Sequence, residues 1–166
     1  MTYNLHPIFV HFPIAMLFVY SLIKILPLKK WFPRVAWRQI ERVLLVVGVL
    51  GAFAALATGD TAEHLVKPNH QLVDAHSTFA AVATWLYGAL LLGEITAMVN
   101  VRLAAQKIVV LQFLECVLCH PLFSALLAFL ALVAISITGL LGGVMAYGVT
   151  ADPFANVVLK ILGISL

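Results

Sequence analysis

Four long apolar runs, each near the length a helix needs to cross a bilayer, leave this chain few folds to choose from. They extend over Ile8–Leu26, Val43–Thr58, Ser77–Met98 and Leu122–Tyr147, and a spanning helix takes about 20 mostly apolar residues. The second run is short, so its helix is expected to start earlier, within Trp37–Arg42. Strand-like alternation is absent, which argues against a transmembrane barrel. Composition points the same way. Of the 166 residues, 63% are apolar and 10% charged, whereas a soluble domain carries about 25% charged residues. So few charges cannot cover a water-facing surface. A soluble enzyme, a disordered tail and a nucleic-acid reader are excluded. The expected fold class is all-α: an integral membrane four-helix bundle, seated in the lipid bilayer, with a short C-terminal interfacial helix.

Lys and Arg set the expected orientation. Lys24, Lys29, Lys30, Arg34, Arg38 and Arg42 lie in or beside the first connection, and Arg102 and Lys107 in the third. Only Lys67 and Lys160 fall on the other side. This asymmetry predicts a bacterial-type inner (cytoplasmic) membrane protein with its basic connections in the cytoplasm and both termini outside. The opening Met1–Pro7 has no positive charge and no small-residue cleavage site, so it does not read as a signal peptide.

Small residues mark helix contacts in lipid. Gly48 and Ala52, Gly51 and Ala55, and Gly139 and Gly143 are such pairs four residues apart. Residues 1–148 are expected to form the spanning domain and 149–166 an interfacial tail. In the tail, Asp152-Pro153 reads as an N-cap with Pro at the first helical position. Phe154, Val157, Val158, Ile161 and Leu162 then share one face, as in a helix lying on the outer surface. Residues 100–119 are ambiguous, and one long fourth helix beginning before His120 is the preferred reading. Glu94, a carboxylate near the inner end of the third span, needs a partner, and Arg42 is the candidate.

Six histidines carry the chemistry of the chain. His6, His11, His64, His70 and His76 map to the outer side, together with Asp60, Glu63 and Asp74. His11 and His76 stand at similar expected depth on the first and third spans, where two neutral imidazoles suit haem iron or a transition metal. His6 is able to fold back over that site past Pro7. His70, in Pro68-Asn69-His70, reads as an exposed turn. Asp60, Glu63 and His64 add hard and borderline ligands of the kind that bind zinc, iron or copper. A separate step, Cys116-Val117-Leu118-Cys119-His120, matches the signature for covalent haem c attachment. Its expected cytoplasmic position opposes that reading. Packing of small, easily buried thiols is the favoured explanation of the cysteines, with non-covalent ligation by His120 or a redox-active dithiol as lesser alternatives.

His6-Pro7-Ile8-Phe9-Val10-His11-Phe12-Pro13 resembles the opening motif of a bacterial family of small four-span membrane proteins, the domain of unknown function 2231 family. Thr58-Gly59-Asp60-Thr61-Ala62-Glu63 resembles its motif after the second span. Ala75-His76 resembles its histidine at the start of the third, and Gly142-Gly143-Val144-Met145-Ala146-Tyr147-Gly148 its ending, with a shorter gap before the last Gly. The resemblance covers roughly residues 5–148. It implies a four-helix fold and an outer-side site using His11 and His76 with His6, and it supplies no activity.

Three functions follow as expectations. The first is a haem b electron-transfer protein, with haem between the first and third spans on His11 and His76, exchanging electrons with a redox partner or quinone. The second is a non-haem metal protein built from His6, His11, Asp60, Glu63, His64 and His76. The third is a cofactor-free subunit or assembly factor of a larger membrane complex. No Ser-His-Asp arrangement and no phosphate-cradling Gly-rich loop is present, which excludes a conventional hydrolase or nucleotide enzyme.

Overall fold

The computed structural model describes residues 6–66, 69–102 and 108–165; for 6–9, 60–66 and 151 the backbone alone is described. All regular structure among these residues is helical: α1 (His6–Ile25), α2 (Leu28–Trp31), α3 (Trp37–Val66), α4 (His70–Arg102), α5 (Val109–Leu118), α6 (Pro121–Tyr147), a 3-10 turn (Val149–Ala151) and α7 (Ala155–Leu162). Segment Trp37–Gly59 of α3, together with α4 and α6, is long and apolar enough to cross a membrane. The 20-residue α1 is the fourth long apolar helix. The expected early start of the second helix holds, since α3 opens at Trp37.

Proline and tryptophan shape the first connection. Pro27 follows α1 and has no N–H to continue it. Trp37 Nε1 donates to Phe32 O at 2.8 Å, closing the turn from α2 into α3. The long helices then pack in a ring, α1 beside α3, α3 beside α4, α4 beside α6 and α6 beside α1. α1 and α4 thus face each other across the diagonal. Small residues let α1 and α3 approach: a Cβ on Gly48 would lie 2.6 Å from Leu17 Cδ2, and one on Gly51 3.0 Å from Pro13 Cβ. The other expected small pair, Gly139 and Gly143, has nothing within 4 Å of either added Cβ. That step makes no contact inside the described chain. Between α4 and α6 the fit comes from buried Ala83, Ala128, Ala131 and Ala134.

Tyr20 and Tyr87 fill the centre. Both are buried, and their rings meet edge to face at 6.2 Å, a favoured aromatic geometry. Tyr87 Oη donates to Leu17 O at 3.2 Å and accepts from Ser21 Oγ at 2.7 Å. These bonds tie α4 to α1 across the diagonal and satisfy polar groups that have no water to turn to.

One expectation is corrected. Residues 109–118 do not lengthen the fourth span, and residues 100–102 end α4. α5 is separate, and the chain breaks at His120, which is extended at φ −58, ψ 129 before Pro121 at the start of α6. The ring of a proline pushes the preceding residue out of the helical region, and proline itself is suited to a first helical position. The tail keeps its expected cap, Asp152 Oδ1 accepting Phe154 N–H at 2.8 Å, and regular helix starts at Ala155 rather than at Pro153. α7 has two faces. Ala155 and Leu159 are buried against Leu72, Leu141 and Val144 of α4 and α6, while Phe154, Val157 and Ile161 are exposed. Gly163, at φ 69, ends the helix. Its N–H reaches Lys160 O, and that of Ile164 reaches Leu159 O, the paired bonds of a left-handed glycine cap.

Candidate functional site

The backbone brings the start of α1, the last turns of α3, the start of α4, the end of α6 and α7 to one end of the bundle. Every histidine except His120 belongs to that end. The side chains of His6, Asp60, Glu63 and His64 lie outside the described residues, so the structure places only their backbone.

α4 follows Asn69, whose Oδ1 accepts the Gln71 N–H at 2.9 Å. His70, expected in an exposed turn, is the first residue of α4 and is exposed; Pro68 lies outside the described residues. Two turns further, His76 is half-buried against α6. Its Nδ1 lies 3.0 Å from Thr138 O. A carbonyl only accepts, so Nδ1 carries the proton and the lone pair of the neutral ring is on Nε2. Gly142 makes the approach fit, because a Cβ there would come within 3.3 Å of His76 Cε1. Thr138 turns its own hydroxyl back to Ala134 O at 2.9 Å and offers the ring only its carbonyl. The Nδ1 contact and the fit against Gly142 thereby orient the imidazole.

His11 is exposed on α1. It lies nine positions before Tyr20, about half a turn round the helix from that core residue. The described side chains therefore show His11 on the outer side of α1 and His76 against α6. Both rings, and the Thr58 side chain, also engage further partners. Among the described residues no group of three or more His, Cys, Asp or Glu is placed to hold a metal.

The Cys-x-x-Cys-His step sits at the other end and does a packing job. A Cβ on Gly93 of α4 would lie 2.8 Å from Leu118 Cβ and 3.4 Å from Cys119 Sγ. Cys119 Sγ donates to Gly93 O at 3.3 Å. Burial, and after it the nearby Glu94 and Glu115, push the Cys119 thiol up, away from the thiolate that bonds metals and attacks electrophiles. Cys116 is exposed, and His120 is the exposed residue between α5 and α6. The two thiols thus have different surroundings.

Charged groups gather at this end too. Arg42 Nη2 lies 3.3 Å from Glu94 Oε2, the partnership expected from the sequence. Lys29 Nζ lies 2.6 Å from Glu41 Oε1, and Asn100 Nδ2 donates to Glu115 Oε2 at 2.6 Å. Sequence reasoning passed over Glu41 and Glu115. Glu41 had a signal, being a carboxylate one residue before Arg42 at the mouth of a span. Glu115, in a segment of uncertain course, had none.

A family model described as a predicted membrane protein, DUF2231, matches residues 2–152. No curated protein and no solved structure matches the chain. The family match takes in all four long helices and the contacts of Pro13 with Gly51 and of His76 with Gly142, and on that extent the chain belongs to the DUF2231 family of predicted membrane proteins.

Proposed function

We propose that this is a multi-pass protein of the bacterial cytoplasmic membrane whose outward end binds a transition-metal ion. His76, its ring oriented through Nδ1, is one candidate ligand, and His6, Asp60, Glu63 and His64 are the pool for the others. One observation carries the reading: the Nδ1 bond of His76 to Thr138 O, on a bed of Gly142. Metal-ligating histidines almost always donate their other ring nitrogen to a carbonyl or carboxylate, which orients the ring and raises its basicity. Imidazole with carboxylate suits zinc, iron or copper. A bare ion is favoured over haem because His11 is exposed on α1 while His76 packs on α6, whereas haem b needs two rings flanking one slot. Covalent haem c is disfavoured by the half-buried Cys119, whose Sγ donates to Gly93 O.

Elemental analysis and absorption spectra of protein purified in mild detergent test this. The expected result is bound zinc, iron or copper without a Soret band. His76→Gln should weaken binding at least about 10–100-fold, and Gly142→Ala, which crowds the ring, should weaken it less. His70→Gln should have no effect. A Soret band would replace the ion with haem, and metal-free, haem-free protein from replete cells would end the proposal.

Orientation has its own test in the native cysteines. With the basic end in the cytoplasm, exposed Cys116 should resist a membrane-impermeant maleimide in intact cells and react in inverted vesicles. Labelling in intact cells would reverse the topology.

A further inference from the structure

At the basic end, opposite His76, the structure holds an open, mostly polar recess of about 540 Å³. Its charged lining is Lys24, Lys29, Arg38, Glu41, Glu94 and Glu115. These formal charges cancel, but their pairing leaves a remainder. Glu41 is 2.6 Å from Lys29, and Glu94 is 3.3 Å from Arg42, so both carboxylates are neutralised locally. Lys24 and Arg38 form no ion pair among the described residues. Among the described residues the carboxylate of Glu115 meets only the uncharged Asn100 amide. Two cations and one carboxylate are therefore left over, facing one recess. All three line the same recess, together with Cys119.

The position of the recess narrows the ligand. It lies at the ends of the long helices, where lipid headgroups sit beside a spanning protein. Its lining also includes Trp37, Pro33 and Val35, apolar surface beside the charges, with the Trp37 indole fixed by its bond to Phe32 O. We propose that this cavity binds the headgroup of an aminophospholipid, with the phosphodiester on Lys24 and Arg38 and the ammonium on Glu115. A purely anionic headgroup satisfies the cations but leaves Glu115 facing negative charge, and selectivity follows from that repulsion. Free phosphate lacks both the amine and the apolar anchor.

Native mass spectrometry of the full chain released from detergent tests the proposal. The probes are dioleoyl phosphatidylethanolamine, dioleoyl phosphatidylglycerol and inorganic phosphate. The wild type should retain the ethanolamine lipid about fivefold better than the glycerol lipid, and excess phosphate should not displace it. Lys24→Gln with Arg38→Gln should lower retention of both lipids by about tenfold. Lys30→Gln with Arg34→Gln removes the same charge outside the cavity and should leave retention unchanged. Glu115→Gln should erase the preference between the two lipids while keeping the phosphate contacts. It also carries the test if the double cavity variant fails to fold. Equal loss in both double variants, a wild-type preference for the glycerol lipid, displacement by phosphate, or an unchanged preference in Glu115→Gln would each overturn the proposal.

Discussion

Tyr87→Ala is expected to destabilise the bundle by about 3–5 kcal/mol, the range for removing a large buried ring without collapse of the site. The structure gives little scope for collapse. Tyr87 is fully buried, and so are its neighbours Leu17 and Tyr20. The ring is also held on both sides, by the edge of Tyr20 at 6.2 Å and by the Ser21 and Leu17 bonds at its hydroxyl. Tyr87→Phe separates the two contributions. It keeps the volume and removes the hydroxyl, so it should cost about 1 kcal/mol, as one interhelical hydrogen bond in a membrane bundle does. Denaturation in sodium dodecyl sulfate from a mild-detergent micelle, followed by tryptophan fluorescence, reads both. A loss under about 1 kcal/mol in Tyr87→Ala would mean that the diagonal contact between α1 and α4 does not organise the core.

Much of the architecture is legible in the chain because lipid imposes strong rules. Long apolar runs and clustered Lys and Arg mark helices and their basic ends without any packing knowledge. The Arg42–Glu94 pair follows from the cost of an unpaired charge at that depth. What lipid does not mark is which side of a helix faces inward. α4 and α6 are apolar all round, so Tyr87 looks no different in sequence from exposed Trp85 until the neighbours are known. The same blindness hid the inward face of α7, where Ala155 and Leu159 do the packing and the larger Phe154 and Ile161 point away. His76 was legible as a ligand candidate, but its orientation was not. The acceptor, Thr138 O, is a backbone atom 62 residues away, and no side-chain pattern announces a carbonyl. Pro121 allows either a helix start or a kink at His120 and does not decide between them. The apolar character running across it concealed the break.

The same limit applies to glycine, and it gives a second large effect with a built-in contrast. Gly48 and Gly139 look alike in sequence, each a small residue with another four positions on. Helix propensity favours Ala over Gly by about 1 kcal/mol at either site. At Gly139 nothing lies within 4 Å of an added Cβ, so Gly139→Ala should be neutral or stabilising by up to about that amount. At Gly48 the added atom would stand 2.6 Å from Leu17 Cδ2 and 2.7 Å from Cγ. Leu17 is 1% exposed, so it has no empty space to swing into and α1 itself must move away from α3. Overpacking of that kind costs about 1–3 kcal/mol for small additions, which outweighs the gain in propensity. Gly48→Ala is therefore expected to be destabilising, and Gly48→Leu to lose about 3 kcal/mol or more. The shift of α1 would also pull Leu17 O from Tyr87 Oη, so Gly48→Leu and Tyr87→Phe should be less than additive when combined. Equal stability of Gly48→Leu and Gly139→Leu in the same detergent titration would show that the close approach of α1 and α3 is absent from the folded protein.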